Sequence, residues 1–215
     1  MDTFRPRNLG LFYDVETQHL PLFSQPSEDP RQPHIVQIGA VLVDMNSREE
    51  LESLDVIIRP DGWEIPQETV DIHGITTERA LAEGIAGIDA LEQLLVLWRR
   101  APQVVRAGFN EPFDARMVRI DCFRYLDKLT ADAWKGALAL DVMKVVTPLC
   151  KLPPTEAMKR AGRGKQSKSP KLTEAYEHFF GEPLQGAHSA LADARATLRI
   201  HWHVTDLQAQ QPVAA

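Results

Sequence analysis

A short apolar run, Leu9-Gly10-Leu11-Phe12-Tyr13, breaks off abruptly into Asp14-Val15-Glu16-Thr17. So brief an apolar stretch reads as a buried strand with carboxylates at its end. Period-2 alternation points the side chains of Asp14 and Glu16 to the same face. Two carboxylates that close repel each other unless a proton or a cation intervenes. A hard divalent ion such as Mg²⁺ takes oxygen ligands, which suits a carboxylate cluster without cysteine. An Asp-x-Glu pair alone is common on solvated surfaces, and it is the apolar run leading into this one that singles it out.

The rest of the chain supplies a frame for that strand. After a Pro-rich polar loop (Pro21, Pro26, Pro30, Pro33), residues Ile35 to Val43 form a second, largely buried strand and Leu54 to Arg59 a third. Short polar connections between strands predict an antiparallel meander. The period then changes: Ile88, Leu91, Leu94, Leu95 and Trp98 recur at helical spacing and end in Arg99-Arg100, where positive charge suits a helix C-terminus. Gln103 to Ala107 is a fourth strand, Phe113, Met117 and Ile120 mark a helix, Leu138 to Leu140 is a fifth strand, and Leu172 to Phe180 and Ala190 to Trp202 are helices. The order βββαβαβαα predicts an α/β fold with a mixed five-stranded sheet flanked by helices. One domain fills residues 1–215, with its core at about 9–203 and a flexible tail at 204–215.

Composition narrows the class. Hydrophobic residues make up 44% of the 215, enough for an ordinary core, and the longest apolar runs fall short of a membrane span. Met1-Asp2-Thr3-Phe4-Arg5 lacks the apolar stretch of a secretory signal, and two distant cysteines, Cys122 and Cys150, make no disulfide framework. A reducing, cytoplasmic setting and no membrane partner are expected. The net charge of −6 hides an asymmetry: residues 151–171 hold seven Lys and Arg against Glu156, so that segment carries +6 and the remainder −12. With Gly162, Gly164 and two serines the segment reads as a basic loop.

Two further segments carry candidate chemistry. In Gly108-Phe109-Asn110-Glu111-Pro112-Phe113-Asp114 a strand ends at a glycine and a helix begins near Pro112. Taken singly, Asp114 could merely complement the helix dipole and Asn110 merely cap it. In Ala187-His188-Ser189-Ala190-Leu191-Ala192-Asp193 a histidine precedes a helix opened by a Ser189 cap, with Asp193 on its second turn and small residues that let other groups approach.

Together these segments resemble the motifs of the DEDDh group of the DnaQ-like 3′ to 5′ exonuclease superfamily: Asp14-x-Glu16-Thr17, Asn110-x-x-Phe113-Asp114 and His188-x-Ala190-x-x-Asp193, in the required order. Ile72-His73-Gly74-Ile75-Thr76 and Leu140-Asp141-Val142-Met143 also stand where this family has similar segments. A tyrosine subclass would place its Tyr four residues before the last Asp, and position 189 is Ser, so the histidine subclass matches better. Where relatives often have Thr-Gly after the first motif, this chain has Gln18-His19-Leu20 and then the Pro-rich loop.

The resemblance implies an RNase H-like fold and a metal-dependent enzyme that releases 5′-mononucleotides from a nucleic-acid 3′ end, single-stranded DNA being the expected partner. Asp14, Glu16, Asp114 and Asp193 would hold two Mg²⁺ or Mn²⁺, and His188, of a residue type largely neutral at pH 7, would accept a proton from the attacking water. Thr17, His73, Asn110, Phe113, Lys165 and Lys168 are the candidate substrate contacts. For His73 a role at the terminal nucleotide and a plain turn position stand side by side. His201 and His203 flank Trp202 and diverge on a helix, so surface positions are expected for them. An oligoribonuclease or RNA-trimming activity, and a silent nucleic-acid-binding module, are the competing functions. No polymerase or repair partner can be read from the residues.

Overall fold

The computed structural model describes residues 8–100 and 103–210. Its sheet has five strands: β1 (Leu9–Thr17), β2 (Ile35–Asp44), β3 (Glu50–Ile57), β4 (Val105–Gly108) and β5 (Ala139–Asp141). In space they run β3-β2-β1-β4-β5. β1, β2 and β3 form the expected antiparallel meander, and β4 and β5 join parallel to β1, which gives the mixed sheet.

Alternation along β1 builds two cores. Leu9, Leu11, Tyr13 and Val15 pack on one face with Ile38, Ala40 and Leu42 of β2, beneath α3 (Gly87–Trp98), α4 (Glu111–Tyr125) and α5 (Lys128–Gly136). Phe12, with Val41 and Val43, packs on the other face beneath α6 (Val142–Cys150), α8 (Leu172–Phe180) and α9 (Ala190–Ala209). Continuing the alternation past Phe12 puts Asp14 and Glu16 on the α9 side, at the C-terminal end of the central strand. Burying apolar side chains on both faces is what makes β1 a continuous apolar run.

Short helices go beyond the expected order: α1 (Gln67–His73), α2 (Thr77–Glu83), α5, α6 and α7 (Glu156–Arg160). The last of these corrects the expectation of a loop throughout 151–171. Thr155 caps α7 by accepting a hydrogen bond from the Met158 amide at 3.2 Å, and Glu156 pairs with Lys159. The expected tail is also partly helical, because α9 continues to Ala209 with Val204 buried against the sheet and Asp206 paired with Arg48. Residues 211–215 and the start of the chain, Met1 to Arg5, lie outside the described residues. His201 and His203 are half-buried, not on the surface: their rings pack on Phe12 (5.3 Å between centroids) and Phe180 (5.2 Å).

The Pro-rich loop is strapped to α4. The Arg116 guanidinium donates to the carbonyls of Leu22 (2.9 Å) and Gln25 (2.7 Å), and that of Arg124 donates to Gln32 and Pro33. Inside the loop the buried Gln32 amide bonds to Leu22 and Pro26, replacing the ladder hydrogen bonds that the segment lacks.

Candidate active site

The site forms where α9 and α4 start, over the end of β1. α9 comes unusually close to the sheet, as its small buried residues Ala190 and Ala194 allow. Gln37 of β2 secures the approach: its side-chain oxygen accepts from the Ala190 amide at 3.1 Å, while its side-chain nitrogen donates to Asp55 at 2.7 Å. Ser189 occupies the N-cap position, but its side chain makes no capping bond, so Gln37 takes one of the free amides that a helix start presents.

His188 adopts a left-handed conformation, φ 67°, uncommon for a residue with a Cβ. Its amide donates to Asp193 Oδ2 at 3.2 Å, which holds the turn. Glu16, His188 and Asp193 then each offer a ligand atom, all within 4.8 Å of one another. Asp193 Oδ1 is buried without a hydrogen-bond partner.

α4 brings in the remaining acid. Asp114, buried in its first turn, accepts a hydrogen bond from the Val15 amide at 3.3 Å, which ties the start of α4 to the residue between Asp14 and Glu16. Asn110 does not cap α4 with its side chain; it supplies a left-handed corner (φ 69°) whose amide donates to Asp141 at the end of β5 at 3.2 Å.

The electrostatics are those of acids brought together without a lysine or arginine paired to them among the described residues. Burial raises the Asp14 carboxyl well above its ordinary value, and Asp114, Asp193 and Glu16 push it further. Burial likewise raises Asp114, against the hydrogen bond from Val15, with Glu111 and Glu16 adding to the rise. Glu16 is pushed up to about 7 by burial and then by Asp193, and Asp193 to about 6, chiefly by burial. Carboxylates that repel one another, with an unpartnered buried oxygen and no lysine or arginine paired to them among the described residues, have the donor set of a divalent cation site.

His73 is a neighbour of His188. It is buried at the end of α1, and its Nδ1 accepts from the Ile75 amide at 3.1 Å, which places the ring proton of a neutral His73 on Nε2, where no partner is found. Burial and then the neighbouring His188 lower its pKa. Thr17 lies half-buried at a register break that follows Glu16, and Phe113 packs half-buried on the core beside Asp114. Lys165 is exposed and makes no ion pair among the described residues, whereas Lys168 is held by Glu174 at 2.6 Å. The structure thus gathers Asp14, Glu16, Asp114, Asp193, His188 and His73. Of the residues that hold the frame, Asp141 stood in a segment the family resemblance marked, whereas Gln37 carried no local signal beyond being a polar residue within an apolar strand.

This arrangement belongs to the class of RNase H-like nucleases whose acids converge at the end of the central strand. An exonuclease family model, RNase_T, matches residues 11–201. The chain belongs to this exonuclease family, within the DnaQ-like 3′ to 5′ exonuclease superfamily. Among solved structures it is similar to E. coli exonuclease I in complex with a 5cy-dT13 oligonucleotide (TM-score 0.74, 20% identity, 95% of this chain and 42% of that one). It is likewise similar to the zinc-bound E. coli exonuclease I complex with single-stranded DNA (TM-score 0.72, 20% identity, 95% and 42%). A product-bound exonuclease I also matches (TM-score 0.71, 22% identity, 95% and 45%). At that identity the likeness is one of fold, and the chain spans less than half the length of these proteins. No curated protein matches it in sequence. Among the described residues no helix is long and apolar enough to cross a membrane.

Proposed function

We propose that the chain, acting as one exonuclease domain, hydrolyses the terminal phosphodiester bond at the 3′ end of single-stranded DNA and releases 5′-mononucleotides. The observation that carries this reading is the convergence of Asp14, Glu16, Asp114 and Asp193 from three separate elements onto a histidine, with their carboxyls raised by burial and mutual repulsion. The exonuclease I neighbours described with single-stranded DNA support the choice of substrate.

In this reading Asp14, Glu16, Asp114 and Asp193 would hold two Mg²⁺ or Mn²⁺, and such ions would supply stabilisation of the charge that develops during phosphodiester hydrolysis. His188 accepts the proton of the attacking water on its ring, and the bond from its amide to Asp193 keeps that ring beside the acids. His73 offers Nε2–H as a donor to the terminal nucleotide. Thr17, Asn110 and Phe113 shape the walls. In the basic segment Lys165 is free to meet backbone phosphates, while Lys168 stiffens the segment through Glu174. Two free, buried cysteines suit a cytoplasmic setting.

The test is digestion of 3′-labelled DNA and RNA strands of one sequence with Mg²⁺ and with EDTA. Stepwise release of mononucleotides from DNA, abolished by EDTA, is the expected result. Faster digestion of RNA would transfer the reading to an exoribonuclease, and binding without hydrolysis of either would overturn it.

A further inference from the structure

A cavity of about 420 Å³ opens between α4, the start of β5 and the Pro-rich loop. Four cationic side chains line it, Arg106, Arg116, Arg119 and Lys135, against one acid, Glu111. In a chain of net charge −6 that concentration is unusual. Some of the charge is already matched: Arg106 pairs with Glu111 at 3.3 Å and Arg119 with Asp132 at 3.2 Å. Arg116 and Lys135 have no acidic partner among the described residues.

Arg106 is the unusual member. It sits in β4, only 2% exposed, with its guanidinium over the Trp134 ring at 4.2 Å. Its Nε and Nη1 have no hydrogen-bond partner, and neither do the Nε atoms of Arg116 and Arg119. Buried donors are ordinarily satisfied, so these shielded, idle N–H groups leave positive charge behind the cavity wall that no hydrogen bond offsets, which favours an anion in the cavity. Two uncompensated positive charges match a dianion, and guanidinium forks approaching from different elements suit the oxygens of a phosphate. The Ser27 hydroxyl, which accepts from Arg119 at 3.3 Å, has a proton left to give. Proline and alanine side chains make up the other walls, and the volume lies within the range of small-ligand sites.

We propose that this cavity is an accessory phosphate-binding site, apart from the acid cluster, that takes the phosphate of a nucleotide. It does not rest on the hydrolytic reading above, since it shares no ligand with the four acids. Two sources present the same group: a free 5′-mononucleotide, or a backbone phosphate of a bound strand.

Isothermal titration in EDTA, where hydrolysis is silent, tests it with four probes: inorganic phosphate, dAMP, deoxyadenosine and a short single-stranded oligodeoxynucleotide. Parent protein is compared with Lys135→Glu, an exposed position whose change spares the core, and with Arg116→Gln. The expected result is that phosphate and dAMP bind the parent, deoxyadenosine does not, and Lys135→Glu weakens both by about tenfold, with Arg116→Gln acting in the same direction. If phosphate and dAMP respond and the oligonucleotide does not, the source is the free nucleotide; if the oligonucleotide also loses about tenfold, it is the strand. Affinities for every phosphate probe that agree within twofold between the parent and Lys135→Glu overturn the proposal.

Discussion

Gly39 of β2 lies directly under the first turn of α9: a Cβ built on it would fall 2.0 Å from the Leu191 amide nitrogen. Gly39 is also the cross-strand partner of Asp14, so the same missing side chain that admits α9 brings Asp193 over Asp14. Replacing Gly39 with Ala forces the helix away, because the atoms met are backbone and cannot rotate aside. Gly39→Ala should lower stability by about 1–3 kcal/mol, as overpacking does, and reduce kcat by displacing His188 and Asp193. Thermal unfolding and initial rates measure the two effects, and a variant that melts and turns over like the parent would show that the contact is loose.

Asp14→Asn should cut the rate on the order of 10³-fold or more, since it weakens the grip on the charge-stabilising ions. The metal-free fold should gain stability, because one of the mutually repelling carboxylates is removed. A variant that digests strands at the parent rate would remove Asp14 from the site.

For His188→Ala the expected loss in kcat is about 10²–10⁴, the usual contribution of a positioned proton acceptor, with divalent-ion affinity falling less than it does for the acids. The kcat of this variant should rise with pH as hydroxide replaces the missing base. A flat kcat ratio between parent and variant across pH 6–9 would place the proton elsewhere.

The acid cluster's contribution to the stability of the metal-free protein should fall as pH rises. Glu16 is raised to about 7 and Asp193 to about 6 in the folded state, so between their ordinary values and these the folded chain binds more protons than the unfolded one. Excess protons on the native state mean that the contribution of these two carboxyls is greatest near pH 4 and is lost as pH climbs through 6 and 7. A cation that binds only the native site should reverse the loss above pH 7, by about 2.7 kcal/mol at a hundredfold excess over Kd. Melting curves at pH 4.5 and 7.5, with EDTA and with millimolar Mg²⁺ or Mn²⁺, measure both; curves that coincide at pH 7.5 would mean the acids do not form one site.

Arg106 and Glu111 form a buried ion pair, completed by the Tyr13 hydroxyl, which donates to Glu111 at 2.9 Å. Glu111→Ala leaves the arginine charge uncompensated and should cost about 3–5 kcal/mol. Chemical denaturation at constant m-value reports it, and a loss below 1 kcal/mol would indicate that Arg106 finds another anion.

Much of the fold could be read directly. The apolar runs of β1 and β2, the helical spacing of α3 and α9 and the three motif segments each carry a signal within a few residues of themselves, because periodicity and capping are local. The shorter elements were illegible for the same reason: seven residues in α1 and α2 hold too few turns to show a period, and α6 is an apolar stretch interrupted by Pro148. The length of α9 depends on Val204 finding the sheet, and the cores of His201 and His203 on which aromatic rings meet them.

By itself the sequence determined which side chains could do the chemistry: Asp14 and Glu16 on one face of a strand, Asp114 at a helix start, His188 and Asp193 across one helical turn. Only the tertiary structure decided that they meet. Val15 bonds to Asp114 and Gln37 to Ala190 across gaps of 99 and 153 residues, and Gly39 lets α9 close over β1. The raised carboxyls, the idle donors of Arg106 and the strap from Arg116 to the Pro-rich loop likewise arise only on folding. Burial and repulsion are properties of groups brought close in space, and in the extended chain water separates and screens them.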